Sequence, residues 1–327
     1  MHALITGASG FLGSHIVEEL HKNDYSISVL VRKTSKLNFL KNFPKIKIKY
    51  GDLTDFSSIQ NHMQDIDTLF HNGSVVDEWG KYSYFKKNNV IGTKNILDAV
   101  LNSNIKNIVY TSTADFYSDS LEAKTESAKL HPRGNYQKSK IEAEKIISLY
   151  EEQNGLKVTK IRPPGILGPR NNYMAGRIII GVSQPKVPLI GSGNQIQSYV
   201  DARDVARGIR LAAENKNTAG EAFNITSFQC DVKEYWLSAA EIMNNKIEFI
   251  HYPFSIAYFF GALSEFIGKI TLRKSTPKAT RFRVKYFGTT HIIDDSKIRK
   301  LLNFRPEFDL KTSMRDMLED YIRTHTD

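Results

Sequence analysis

Apolar positions in the first half of the chain fall into short runs separated by stretches of helical period. Residues 3–6, 27–31, 46–50, 68–71, 107–112 and 157–161 read as strands, and residues 11–20, 55–63, 90–102 and 137–152 as helices. This alternation predicts a doubly wound parallel sheet with helices on both faces. The near-continuous apolar run 107–110 (NIVY) suits a strand covered on both sides. After residue 161 the pattern breaks at Pro163, Pro164, Gly165, Gly168 and Pro169, and stays irregular to Gly193. Residues 195–200 and 222–225 then read as strands and 201–214 as a helix with Asp201 near its start, before a mostly helical remainder. We expect one lobe from 1–165 and 195–227 and a smaller one from 166–194 and 228–327. The 327 residues suffice for both.

Residues 6–13 (TGASGFLG) follow the first strand and open the first helix. In that context Gly7 permits a tight turn, Gly10 lets a phosphate approach the backbone, and Gly13 lets the helix pack against the sheet. A diphosphate would then meet the amides and the positive end of the helix. The first lobe is therefore expected to bind a dinucleotide, and the second a substrate. An NAD-binding unit usually places an acid at the end of its second strand. Here Arg32 stands there, followed by Lys33, Thr34, Ser35 and Lys36. A guanidinium matches a 2′-phosphate, so the expected cofactor is NADP(H), with NAD(H) the alternative if Arg32 is only a solvated strand end.

Tyr136 and Lys140 are four residues apart at the start of a predicted helix and so share one face. An ammonium near a phenol favours the phenolate and lowers its pKa towards the range where proton transfer at neutral pH is efficient. The spacing alone carries little. Its value comes from following the glycine loop and the fifth strand in this order.

Taken together, residues 6–13, Gly51-Asp52-Leu53, residues 89–93 (NVIGT), residues 110–113 (YTST), residues 136–140 (YQKSK) and residues 162–169 (RPPGILGP) resemble the extended short-chain dehydrogenase/reductase family. The resemblance runs through nearly the whole chain. It implies a Rossmann-type sheet of six or seven strands with a smaller, mostly helical C-terminal substrate lobe. It implies Tyr136 as general acid/base, Lys140 as the holder of the nicotinamide ribose, and Asn89 as support for a water-linked proton path. It also implies a hydroxyl that holds the substrate oxygen, Thr113 by alignment or else Ser112. The cofactor contacts it implies are Gly7, Ser9, Gly10, Phe11, Leu12, Gly13, Arg32, Ser35, Asp52, Leu53, Asn72, Gly73, Ser74, Tyr136, Lys140, Pro163 and Ile166.

Two branches of that family compete. Epimerases and dehydratases of nucleotide sugars hold NAD tightly and bind a diphosphate. Reductases and dehydrogenases act on small hydroxyl or ketone compounds, as dihydroflavonol reductases and 3β-hydroxysteroid dehydrogenases do. Residues 191–193 (GSG) and the strand after them resemble the epimerase substrate segment, yet Gln197 stands where epimerases usually carry an arginine and Gly165 where they carry an asparagine. Arg170, Arg177 or the basic stretch from 269 would have to replace those diphosphate ligands. The reductase or dehydrogenase branch is therefore expected, with the epimerase branch as alternative. A non-catalytic dinucleotide sensor is disfavoured because both Tyr136 and Lys140 are present.

Composition adds boundaries. One cysteine, Cys230, excludes an intrachain disulfide, and the nine histidines show no metal-ligand spacing. The formal net charge is +10, and residues 269–285 hold seven basic side chains (Lys269, Arg273, Lys274, Lys278, Arg281, Arg283 and Lys285) and no acid. No recognition motif accompanies them, so no nucleic-acid partner is expected. The apolar segment 254–268 just before them either caps a hydrophobic pocket or touches a membrane surface. With no bilayer-length apolar run and a strand already at residues 2–6, a cytoplasmic location is expected. Relatives commonly pair through helices matching 90–102 and 137–152, so a homodimer is expected.

Overall fold

The computed structural model describes residues 1–118, 121–271, 273, 275–277 and 279–325. Its strands are β1 (His2–Thr6), β2 (Ser26–Val31), β3 (Lys47–Tyr50), β4 (Thr68–His71), β5 (Asn107–Thr111), β6 (Val158–Arg162), β7 (Gly165–Leu167), β8 (Lys186–Ile190), β9 (Ile196–Asp201), β10 (Ala222–Asn224), β11 (Phe228–Asp231) and β12 (Glu248–Tyr252). Its helices are α1 (Phe11–Lys22), α2 (Tyr82–Phe85), α3 (Gly92–Leu101), α4 (Asn135–Asn154), α5 (Asn172–Val182), α6 (Ala202–Glu214), α7 (Val232–Ile242), α8 (Phe254–Ile270), α9 (Arg281–Gly288), α10 (Ser296–Leu302) and α11 (Leu310–His325).

Seven parallel strands form one sheet in the order β3-β2-β1-β4-β5-β6-β10. Alternation along β1 sends Ala3 and Ile5 into the core under α1 and α6, and Leu4 into the core under α3 and α4. Strand order reverses between β1 and β4, and a crevice opens beyond their carboxyl ends, where this architecture places ligands. The ends of β1, β4, β5 and β6 lead directly into residues 7–13, 72–74, 112–115 and 163–166.

The structure departs from the sequence pattern in three places. Residues 55–63 form two short 3₁₀ turns (Phe56–Ser58 and Gln60–His62) instead of a helix. Asp55 accepts from Ser57 N and Oγ, and Ser58 Oγ donates to Asp55 O, so local side-chain bonds compete with helical ones. The helix expected at 90–102 is preceded by a π-helical turn (Lys86–Ile91) that turns Asn89 inward. Third, β9 leaves the large sheet and joins β7 and β11 in a small one, while β8 pairs with β12. Residues 196–201 therefore pair outside the seven-stranded sheet. Pro163 and Pro164 supply no N–H, so β6 cannot continue its ladder and β7 starts a new sheet. The smaller lobe has its own core, in which Tyr199 stacks on Tyr235 at 5.3 Å between centroids beside Leu167, Met314 and Leu318.

Among the described residues no helix is long and apolar enough to cross a membrane, and no group of three or more His, Cys, Asp or Glu is placed to hold a metal ion. Cys230 is buried.

Among the described glycines the tightest approach to backbone lies under the first helix. A Cβ on Gly13 would sit 2.0 Å from the Gly7 carbonyl oxygen. Gly13→Ala should destabilise the protein by about 2–4 kcal/mol, because a backbone atom rather than a flexible side chain must yield. Denaturant unfolding measures this, and a loss below about 0.5 kcal/mol would contradict the packing.

Candidate active site

Gly7 adopts φ +71°, and a Cβ on it would lie 2.8 Å from the Cα of Gly73. The glycine loop therefore turns tightly against the end of β4. No side chain caps α1 at Gly10, so the amides of Phe11, Leu12 and Gly13 are left for an anion. Ser9 and Gly10 are exposed at the mouth, Phe11 is half-buried and Leu12 is buried. This uncapped glycine cradle fits a dinucleotide's diphosphate. Beside it, Arg32 N donates to Ser35 Oγ at 3.1 Å and Ser35 N to Arg32 O at 2.9 Å. The resulting turn leaves the Arg32 side chain exposed and without a partner among the described residues. Across the crevice Asp52 Oδ1 accepts from Thr54 N, and Leu53 packs under Gly73 and Gly92. Asn72, Gly73 and Ser74 form the rim after β4.

A buried polar chain runs beneath this floor. Gly73 N donates to Thr6 Oγ1 (2.9 Å), which bonds His71 Nδ1 (2.8 Å). His71 Nε2 lies 3.0 Å from Thr93 Oγ1, which donates to Asn89 O (2.6 Å). Since Thr93 gives its proton to a carbonyl, His71 carries its hydrogen on Nε2 and accepts from Thr6 on Nδ1. Burial, with Lys140 nearby, lowers the His71 pKa to about 3, so the ring is neutral. The Asn89 side chain is fully engaged. Its Oδ1 accepts from Val75 N, and its Nδ2 donates to Val75 O and Ser139 Oγ. In this structure Asn89 clamps loop 75 to α4 beside Tyr136 and Lys140.

Thr113 and Tyr136 meet. Thr113 exerts a downward pull on the Tyr136 phenol, and Thr113 Oγ1 accepts from Asp115 N at 3.1 Å. Ser112 Oγ is buried with no protein partner. Lys140, 1% exposed, donates to Thr111 O at 2.6 Å and stands 4.2 Å from the centre of the Tyr110 ring. Burial lowers its pKa to about 7, against a smaller upward pull from Glu144. The Tyr136 phenol is not lowered as the spacing suggested. Burial and the Asp115 carboxylate push it above its ordinary value, and the Lys140 ammonium is held against the Thr111 carbonyl instead. Pro163 closes this corner, its carbonyl accepting from Ala114 N at 2.8 Å. Ile166 is half-buried, packed against the core under α1 and α6.

The substrate side holds residues to which sequence reasoning gave little weight. Burial raises the Asp115 carboxyl to about 6, with Arg133 pulling the other way. Arg133 also acts on His291, whose pKa falls to about 3 mainly through burial, and on Tyr286. Asp115 and Arg133 had a weak local signal, being near Thr113 and Tyr136 in sequence. His291 had none. Gln197 Nε2 donates to Thr289 O. The Tyr286 hydroxyl stands where a side chain on Gly165 would begin, 2.4 Å from its Cβ position. Arg170 is tied to Ser14, His15 and Glu18, and Arg177 to Glu78, so neither is available to replace a diphosphate ligand.

The sequence profile of the NAD dependent epimerase/dehydratase family matches residues 3–226. The chain belongs to that family. Among curated proteins it is 29% identical to the decarboxylating sterol-4-alpha-carboxylate 3-dehydrogenase of Candida albicans, over 97% of this chain and 96% of that one. It is 24% identical to the 2-alkyl-3-oxoalkanoate reductase of Stenotrophomonas maltophilia, over 96% and 98%. Among solved structures, UDP-glucuronic acid 4-epimerase from Bacillus cereus in complex with NAD superimposes with a TM-score of 0.79 at 20% identity, covering 100% and 98% of the two chains. Membership in the epimerase/dehydratase family makes this chain an enzyme that works with a nicotinamide dinucleotide.

The buried lysine has a thermodynamic signature. Folded Lys140 releases its proton near pH 7 and an unfolded lysine near 10.5, so between these values the unfolded state holds more protons and stability rises with pH. Relative to Lys140→Met, the wild type should therefore gain on the order of 2 kcal/mol between pH 7 and pH 9. Denaturant unfolding of both proteins at the two pH values measures it, and parallel pH profiles would refute the depressed pKa.

Proposed function

We propose that this enzyme moves a hydride between its cofactor and a secondary alcohol or ketone of an apolar small molecule, with net oxidation or reduction, and that it prefers NADP(H). The observation that carries the reading is the substrate side of the cleft. Gln197 is committed to a backbone carbonyl, Tyr286 occupies the space over Gly165, and Arg170 and Arg177 are held by carboxylates. The bidentate cations with which the epimerase branch usually holds its substrate diphosphate are missing here, and aromatic rings stand there instead. Two relatives that match nearly the full chain are named as a sterol-4-alpha-carboxylate 3-dehydrogenase and a 2-alkyl-3-oxoalkanoate reductase, which supports the same reading.

With its diphosphate over Gly7, Gly10 and Gly13, a nicotinamide dinucleotide supplies the hydride donor or acceptor. Thr113 and Tyr136 hold the substrate oxygen by hydrogen bonds, and Tyr136 gives or takes its proton. Lys140, whose ammonium donates to the Thr111 carbonyl, would hold the nicotinamide ribose. With a pKa of about 7 it changes charge close to neutrality. Asn89 acts as a positioning residue through Ser139 and Val75. A second reading, nucleotide-sugar epimerase or dehydratase with retained NAD, is favoured by one feature: the Arg133 guanidinium acts on cleft residues. Exposed Ile91, Leu101 and Leu149 beside α3 and α4 suit pairing into a homodimer.

Mass spectrometry of the ligand that co-purifies, together with absorbance assays of NADPH and NADH on 3-oxo acids and UDP-sugars, tests the reaction class. Net cofactor consumption with a ketone is expected. UDP-sugar conversion with stoichiometric NAD and no net consumption would replace this reading by the second. Tyr136→Phe should lower kcat by at least about 100-fold with cofactor affinity retained; full turnover would remove the phenol from the chemistry. For the cofactor, Arg32→Glu should weaken NADP(H) about 10- to 100-fold and leave NAD(H) within about threefold. Equal losses for the two would show that Arg32 does not read the 2′-phosphate.

A further inference from the structure

Helix α8 presents its apolar stripe to solvent. Ile256, Phe259, Phe260, Leu263, Phe266, Ile267 and Ile270 recur at the three- and four-residue spacing of one helix face. All are exposed, Phe259 by 64%, Phe266 by 61% and Ile270 by 65%. The opposite face is the one that packs. Its buried residues are Gly261 and Gly268. A Cβ on Gly261 would meet the backbone of Thr280 and Arg281 at 3.0–3.1 Å, and one on Gly268 would meet Pro277 and the Trp79 ring at 3.2 Å. The glycines bring the helix flat against the protein and turn the large side chains outward, the reverse of an ordinary surface helix. At roughly 25 Å long it forms a contiguous apolar strip of the kind that marks an interaction surface.

The charges beside the strip select its occupant. Glu265 pairs with Arg281, and Glu78 with Arg283. Lys269, Arg273 and Lys285 have no carboxylate partner among the described residues, while Lys274 and Lys278 lie outside those residues. An apolar helical strip with uncompensated cations at its end matches an anionic lipid surface, where the rings enter the headgroup boundary and the cations meet lipid charge. A second copy of this chain would bring like charges together. We propose that α8 docks the protein flat on an anionic phospholipid membrane without crossing it. The docked helix adjoins the active site. Trp79 Nε1 donates to Arg273 O at 3.0 Å, and residues 72–79 run from there to the cofactor rim. Delivery of an apolar substrate along that path rests on the proposed function; the docking does not.

Flotation of the full chain with phosphatidylcholine vesicles, with and without about 30% phosphatidylserine, tests it. The protein should float with the anionic vesicles, at least about tenfold more than with the neutral ones, and less at high salt. Phe259→Glu/Phe266→Glu and, independently, Lys269→Glu/Arg273→Glu should each cut binding at least about tenfold with an unchanged melting temperature. Protein that stays unbound, or variants that bind like the wild type, would overturn the proposal. So would light scattering in which Phe259→Glu/Phe266→Glu halves the molecular mass, because the strip would then belong to a second copy.

Discussion

The buried hydrogen-bond chain from Gly73 through Thr6, His71 and Thr93 to Asn89 is the constraint on which the rest of the site depends. It crosses the switch point of the sheet and joins the end of β1, the end of β4 and the π-helical turn. Each link has one donor and one acceptor role available, so the chain has a single direction, and that direction requires a neutral His71. A protonated imidazole would offer Thr6 a second donor and break the sequence of bonds. Burial and the nearby Lys140 keep the ring neutral. The glycine loop, the rim after β4 and the Asn89 clamp are thus joined through side-chain hydrogen bonds.

Burial depresses the pKa of Lys140, and the neighbouring carboxylate offsets it only in part. Glu144 lies one turn further along α4, but Arg162 takes both of its oxygens and also donates to Tyr117. Lys140 is left with a carbonyl and the face of Tyr110 in a dry site. A full ion pair would have held the lysine charged at every physiological pH. The diversion of Glu144 to Arg162 keeps it close to its titration point, next to a phenol that burial and Asp115 hold protonated. The two groups that would share a proton are therefore prepared in opposite senses: the phenol resists losing its proton and the ammonium gives one up readily.

The fold was legible where strong periods coincide with punctuation. The six strands of the first half, helices α1 and α4, and the glycine loop each stand where apolar period and breakers place them. The less regular places read worse for physical reasons. Local bonds of Asp55 and Ser58 outbid a weak helical period. Strand β9 looks like any half-buried strand, and only the two prolines after β6 decide which sheet it joins. Strands β8 and β12 pair only with each other, across about 60 residues, so neither carries a local sign of its partner.

The sequence by itself determined the sheet class, the cradle of glycines 7, 10 and 13, and the presence of a tyrosine and a lysine on one helix face, because these follow from spacing along a single element. Tertiary structure decided the rest: the neutral tautomer of His71, the closed amide of Asn89, the charge state of Lys140, the gathering of Asp115, Arg133, Tyr286 and His291 from distant segments, and the outward turn of α8. Burial and proximity set all of these, and both depend on which distant backbone the chain packs against.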